Sequence, residues 1–210
     1  MKRYLLYGTI LATVTGLSMA APKPAVVQRP GQWTLEAKYE HPQQLVLPWG
    51  PNGESRFWYM ILTVTNRTGQ DVEFYPRCDL MTDTFEIVPA GKGVPPVVFE
   101  QIRQRHQSQY PFLESLQNVS NRLLEGEDNA KDIAVIWQDF DPQATAFQVF
   151  IGGLSNETAV INHPVAVDQT GRPVPVYLRK TLELTYAFRG DPAIRPLVEV
   201  VYKDHGWVMR

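Results

Sequence analysis

The chain has 210 residues, 44% of them hydrophobic and 20% charged, with 20 Lys and Arg against 22 Asp and Glu for a formal net charge of −2. That is enough apolar material for one sizeable core, while the near-balance of charge argues against a nucleic-acid binder or a protein that grips a charged membrane surface. The 14 Gly and 17 Pro fall short of the roughly 25–30% at which a chain reads as low-complexity, which excludes wholesale disorder.

Lys2 and Arg3 precede a mostly apolar stretch over residues 4–17 and the small residues Ser18 and Ala20. This is the pattern of a secretory signal peptide over residues 1–20, with cleavage after Ala20. The apolar run is shorter than the roughly 20 residues a spanning helix needs, so no transmembrane segment is expected after cleavage. Pro22, Pro24 and Pro30 then mark residues 21–31 as an extended leader, because proline fixes φ and removes a donor.

From Gln32 the pattern changes. Trp33, Leu35, Ala37 and Tyr39 alternate with Thr34, Glu36, Lys38 and Glu40, the two-residue period of a half-buried strand. Residues 44–47 read as a short companion strand, and residues 48–53 are turn chemistry throughout. Residues 56–66 are dense in aromatic and β-branched side chains and predict a central strand. Asn66, Arg67, Thr68 and Gly69 supply a turn, so that residues 71–75 read as the second arm of a hairpin. One or two short strands are expected over residues 80–88.

The period then shifts. Pro95 and Pro96 suit a first helical turn, with Val98, Phe99 and Ile102 behind them, and a short helix is expected to about Gln109. Phe112, Leu116, Val119 and Leu123 recur at helical spacing before Gly126, which predicts a second amphipathic helix. Together these make a two-helix insertion at about 95–126. Strand patterns return over residues 133–137, 146–151, 174–188 and 197–202, with the long 174–188 run read as a strand that bends between sheets. The expectation is a mainly β chain: a single antiparallel β-sandwich domain of eight to ten strands over residues 32–210.

The chemistry-bearing residues do not converge. His41, His106, His163 and His205 are scattered without zinc-site spacing. Glu125, Glu127, Asp128 and Asp132 lack the calcium-loop pattern and read as a solvated loop or cap. Asp139 and Asp141 flank Phe140 as a turn would. Gly91-Lys92-Gly93 lacks the rest of a phosphate loop, and Ser155 lacks the nucleophile-elbow spacing. Cys78, the only cysteine, reads as a buried structural thiol, the alternative being an exposed one that cross-links two chains. No catalytic residue, metal ligand or cofactor is assigned. The best surface candidates are aromatic: Trp49, Trp58, Tyr59 and Trp207, with alternation placing Trp58 and Tyr59 on opposite faces so that one of them faces outward.

The stretch FWYMILTVTNRTGQDVEF over residues 57–74 resembles a strand–turn–strand unit of immunoglobulin-like β-sandwiches in exported bacterial proteins. With residues 92–95, 124–130, 137–142, 152–155 and the closing Trp207-Val208-Met209-Arg210, the chain is similar to a group of uncharacterised exported proteins of planctomycete-type bacteria. The resemblance implies an immunoglobulin-like fold and an exported location, periplasmic or extracellular, and no functional residue. The expected function is a non-enzymatic interaction or structural module whose partner is a protein or glycan of the cell envelope. Its rival is a carbohydrate-active or other hydrolytic sandwich with a site assembled from Asp139, Asp141 and His163. A third expectation is a ligand pocket between the helical insertion and the sheet, lined by Phe99, Ile102 and Leu116.

Overall fold

A computed structural model describes residues 31–48, 53–190 and 198–210. The expected signal peptide, all of the leader but Gly31, and Trp49 lie outside the described residues. Among those described, thirteen strands and one helix follow in chain order: β1 (Glu36–Tyr39), β2 (Gln43–Leu47), β3 (Ser55–Asn66), β4 (Val72–Glu73), β5 (Arg77–Thr82), β6 (Ile87–Pro89), α1 (Pro96–His106), β7 (Glu114–Ser115), β8 (Arg122–Leu123), β9 (Gly126–Gln138), β10 (Ala146–Gly152), β11 (Thr158–Val167), β12 (Pro173–Arg189) and β13 (Glu199–Met209). The chain is mainly β, as expected.

Its centre is β3. The run FWYMIL within it shows no alternation because both of its faces are covered. Even-numbered Trp58, Met60, Leu62 and Val64 join Val135 and Trp137 of β9 in a core shared with the second sheet, represented by Leu80, Val149, Ile151, Leu182 and Leu184. Odd-numbered Phe57, Tyr59 and Ile61 face the other way, where Val98 and Ile102 of α1 pack over them together with Leu45, Leu47 and Ile136. Two layers of sheet with a helix on the outside thus follow from one strand's parity.

The first sheet orders β1-β3-β9-β7, with β2 also pairing β3 and only β7 running parallel to its neighbour. The second orders β11-β12-β10-β5-β6, with β13 pairing β12, and a separate two-stranded sheet joins β4 to β8. The helix begins as predicted, with Pro95 capping in an extended conformation and Pro96 in the first turn, and it ends on Arg103, Arg105 and His106, whose placement suits the negative end of the helix dipole. Val98 and Ile102 are fully buried beneath it, each worth about 1.5–3 kcal/mol relative to exposure.

Four expectations are corrected. Among the described residues there is one helix, not two: residues 112–125 form β7, β8 and the turns around them, and Gly126 opens β9. Leu113 belongs to the cluster under α1 and Leu123 to the core between the sheets, so this segment wraps the edge of the first sheet and serves both of its faces, which a single straight helix cannot do. The hairpin read over residues 56–75 does not form either, since β4 pairs with β8 and β3 takes β1, β2 and β9 as partners. Third, β12 does not bend between sheets. It stays in one sheet, serving β11 along its first half and β10 and β13 along its second. Fourth, β11 was not anticipated, and β13 extends well beyond the expected residue 202.

The residues of β11 and the first half of β12 leave the body as a two-stranded arm. No residue from Asn156 to Arg179 is buried. Arg179 donates its backbone N–H to Arg210 and Lys180 donates its own to Glu157, so odd-numbered N–H groups along this part of β12 point towards the β13 side. Beyond the end of β13 that edge is open, and the odd positions there are Pro173, Pro175 and Tyr177, of which the two prolines have no N–H to offer. Prolines at those positions guard the free edge against strand addition.

Candidate functional site

The structure separates the sequence candidates. Trp58 and Tyr59 are on opposite faces of β3, as alternation requires, but neither faces outward: both are completely buried. Trp58 lies in the aromatic core against Phe140, Phe147 and Phe188 and donates its indole N–H to Asp139 at 2.8 Å. Tyr59 is covered by α1, where its hydroxyl meets Gln43 at 3.1 Å, His106 at 3.0 Å and Arg105 at 3.3 Å. A helix packed on the outer face of the sheet is what removed the surface that strand alternation alone would leave. Trp207 remains partly exposed on β13, with the Lys180 ammonium 5.2 Å from its ring centroid.

Asp139, Asp141 and His163 are not assembled into a site. Asp139 is held by Trp58 and Arg56 at the end of β9, and Asp141 accepts from the Gln143 backbone N–H as a turn residue does. His163 sits on the exposed arm and accepts from the backbone N–H groups of Val165 and Ala166. The acidic run is likewise dispersed: Glu127 pairs with Arg67, and Asp132 accepts from Thr63. No three His, Cys, Asp or Glu side chains among the described residues are arranged to hold a metal ion. Cys78 is buried against the core, and burial first, then the adjacent Asp79 charge, push its thiol far above the ordinary range. It is a buried thiol, as the structural reading expected, and not an exposed one.

A pocket does exist between α1 and the first sheet, about 280 Å³, with Val94, Phe99, Leu116 and Ile136 among its walls. Ile102 is not part of it, being sealed beneath the helix. A larger recess, about 460 Å³, opens on the outward face of the second sheet. Parity builds it. In β5, Cys78 and Leu80 point into the core, so Arg77 and Asp79 point out. On β10 they face Gly152 and Phe150, respectively. Arg179 and Arg210 exchange two backbone hydrogen bonds at the far wall, and the Arg210 guanidinium lies 4.1 Å over the Phe150 ring. Gly153, at φ +86°, closes the chain under this recess so tightly that a Cβ there would stand 2.5 Å from the Tyr75 carbonyl oxygen.

The arm is the other exposed feature. Val160, Ile161, Val165, Val167 and Tyr177 each leave about half or more of their surface in solvent, the least being Ile161 at 48%. On one face of the arm Val160 lies directly across from Tyr177. Two-stranded ribbons bury little and are marginal in water by themselves, so these exposed apolar side chains contribute little to the core. Sequence reasoning missed β11 because Pro164 interrupts it and its partner strand lies beyond a turn at Asp168–Arg172. No protein-family model, curated protein or solved structure matches the chain.

Proposed function

We propose that the chain is an exported, non-enzymatic interaction module of the periplasm or cell envelope, built on an immunoglobulin-like sandwich, and that it engages its partner through the arm formed by β11 and the first half of β12. The observation that carries this reading is the arm itself: ten strand residues of β11 with none buried, large apolar side chains on it, and one free edge interrupted by Pro173 and Pro175. Guarding one edge leaves the side-chain faces and the outer edge of β11 as the contact surfaces, which favours a specific partner over indiscriminate sheet extension. The signal-like segment over residues 1–20 supports export, and the dispersal of Asp139, Asp141 and His163 removes the motive for a hydrolytic reading.

The test compares the exported chain with a Val160→Asp/Tyr177→Asp variant as baits in an extract of the host's own envelope, read by mass spectrometry. Both positions are exposed, so the variant keeps its fold. A protein or glycan retained by the first and lost by the second supports the proposal. Equal retention by both, or none by either, rejects it.

A further inference from the structure

We propose that the recess on the outward face of the second sheet binds an acidic sugar residue, whose ring hydroxyls donate to Asp79 and whose carboxylate is held by Arg179 and Arg210. This goes beyond the arm reading and does not depend on it, because the recess lies over β5 and β10 in the body of the sheet.

The argument starts from Asp79. Its side chain is only 10% exposed and one carboxylate oxygen, Oδ2, is 3.2 Å from Nε of Arg77. The other oxygen, Oδ1, is buried and accepts no hydrogen bond. An ionised oxygen in that position has lost its water without replacement, which is costly, and native proteins retain such groups where something else completes them. Gly152, which faces Arg77 across the strands, contributes no side chain and leaves the floor open. The walls then carry an imbalance. Arg179 and Arg210 line the recess, and neither guanidinium has an ion-pair partner among the described residues.

These features select the ligand. Among the lining side chains three arginines stand against one carboxylate, which favours a net negative guest, and guanidinium donors suit a carboxylate. The donor wanted at Asp79 is a neutral one, because Arg77 already occupies the other oxygen and an ammonium would be set beside its positive charge. Hydroxyls next to a carboxylate are the chemistry of a uronic acid. The volume of about 460 Å³ suits a guest of that size. Asp79 shares the recess with Arg77, Arg179 and Arg210, all three exposed, and on this proposal reorientation of those arginine side chains, a picosecond-to-nanosecond motion, admits the guest to Oδ1.

The experiment is calorimetric titration of the exported chain with sodium glucuronate, trigalacturonate, glucose and acetate, repeated on Arg179→Gln/Arg210→Gln and on Asp79→Asn. Saturable binding of the uronates is expected, with glucose and acetate weaker by roughly tenfold or more, and a loss of about tenfold or more in each variant. Trigalacturonate binding better than its threefold statistical advantage identifies a polysaccharide chain as the source, and equal binding per residue identifies a free or terminal sugar; both support the site. The proposal is overturned if acetate binds as well as glucuronate, if no uronate binds, or if the arginine variant, whose exposed side chains do not bear on folding, binds unchanged.

Discussion

Gly153 offers a quantitative test of how the end of β10 packs against the segment that leads into β5. It follows β10 in a left-handed conformation at φ +86°, and a Cβ built there stands 2.5 Å from the Tyr75 oxygen, 2.9 Å from the Tyr75 carbonyl carbon and 3.1 Å from the Pro76 Cα. All three are backbone atoms, so no side chain can turn away to make room. Gly69 has nearly the same backbone, φ +83°, with nothing within 4 Å of its Cβ position. Alanine at Gly69 therefore carries only the left-handed penalty, about 1–2 kcal/mol. Alanine at Gly153 carries that penalty and an overpacking cost of about 1–3 kcal/mol more. At about 2–4 °C per kcal/mol for a chain of this size, the second variant should melt roughly 2–12 °C below the first. Circular dichroism melts of the two variants side by side provide the measurement. Midpoints that coincide would refute the close approach of residues 75–76 to the end of β10, and with it the geometry beneath the recess.

Four further outcomes are expected. Cys78 should resist a thiol reagent in the native protein and react with one equivalent in denaturant, and a non-reducing gel should show no covalent dimer. Phe85 holds φ +67° and is 84% exposed; Phe85→Gly removes a left-handed penalty of about 1–2 kcal/mol against a backbone-entropy cost of about 0.5–1 kcal/mol, so denaturant melts should show no loss and a gain of up to about 1.5 kcal/mol. Burial first, then hydrogen bonding to Tyr202 and to Glu40, raise Tyr39 and Tyr110 from 10.0 to about 12. Because the unfolded chain gives up these protons first, their contribution is complete below pH 10 and is lost as the pH rises through about 12, which a tyrosinate absorbance titration run beside circular dichroism will follow. At the acid end, burial of Asp83 is outweighed by hydrogen bonds from Thr145 and the Ala146 backbone, which hold its carboxyl below the usual value. Its contribution is present above the ordinary carboxylate pKa and fades as the pH falls.

Local pattern was sufficient wherever one strand or helix decided its own environment. The unbroken apolar run of β3, the alternation before it, and Pro95-Pro96 ahead of Val98 and Ile102 each announced the element that forms. What misled was reading faces without knowing the layers. Trp58 and Tyr59 do point in opposite directions, yet a helix contributed from forty residues later covers the second of them. Helical spacing of Phe112, Leu116, Val119 and Leu123 was real but coincidental, since Phe112 is 83% exposed and Leu123 is buried in a different cluster from Leu113. The recess had a partial signal, because alternation beside Cys78 and Leu80 puts Asp79 on the outward face. Its other walls come from β10, β12 and the last described residue, and only long-range register brings those together.

The central claim is that the arm is the contact surface, and photo-cross-linking in the host tests it most directly. A photoreactive amino acid placed at Tyr177, 66% exposed on the arm, is compared with one at Lys38, whose side chain is 74% exposed on the body. The account predicts a discrete cross-linked species from position 177 and none from position 38. Cross-links from the body position alone, or the same species from both, would contradict it.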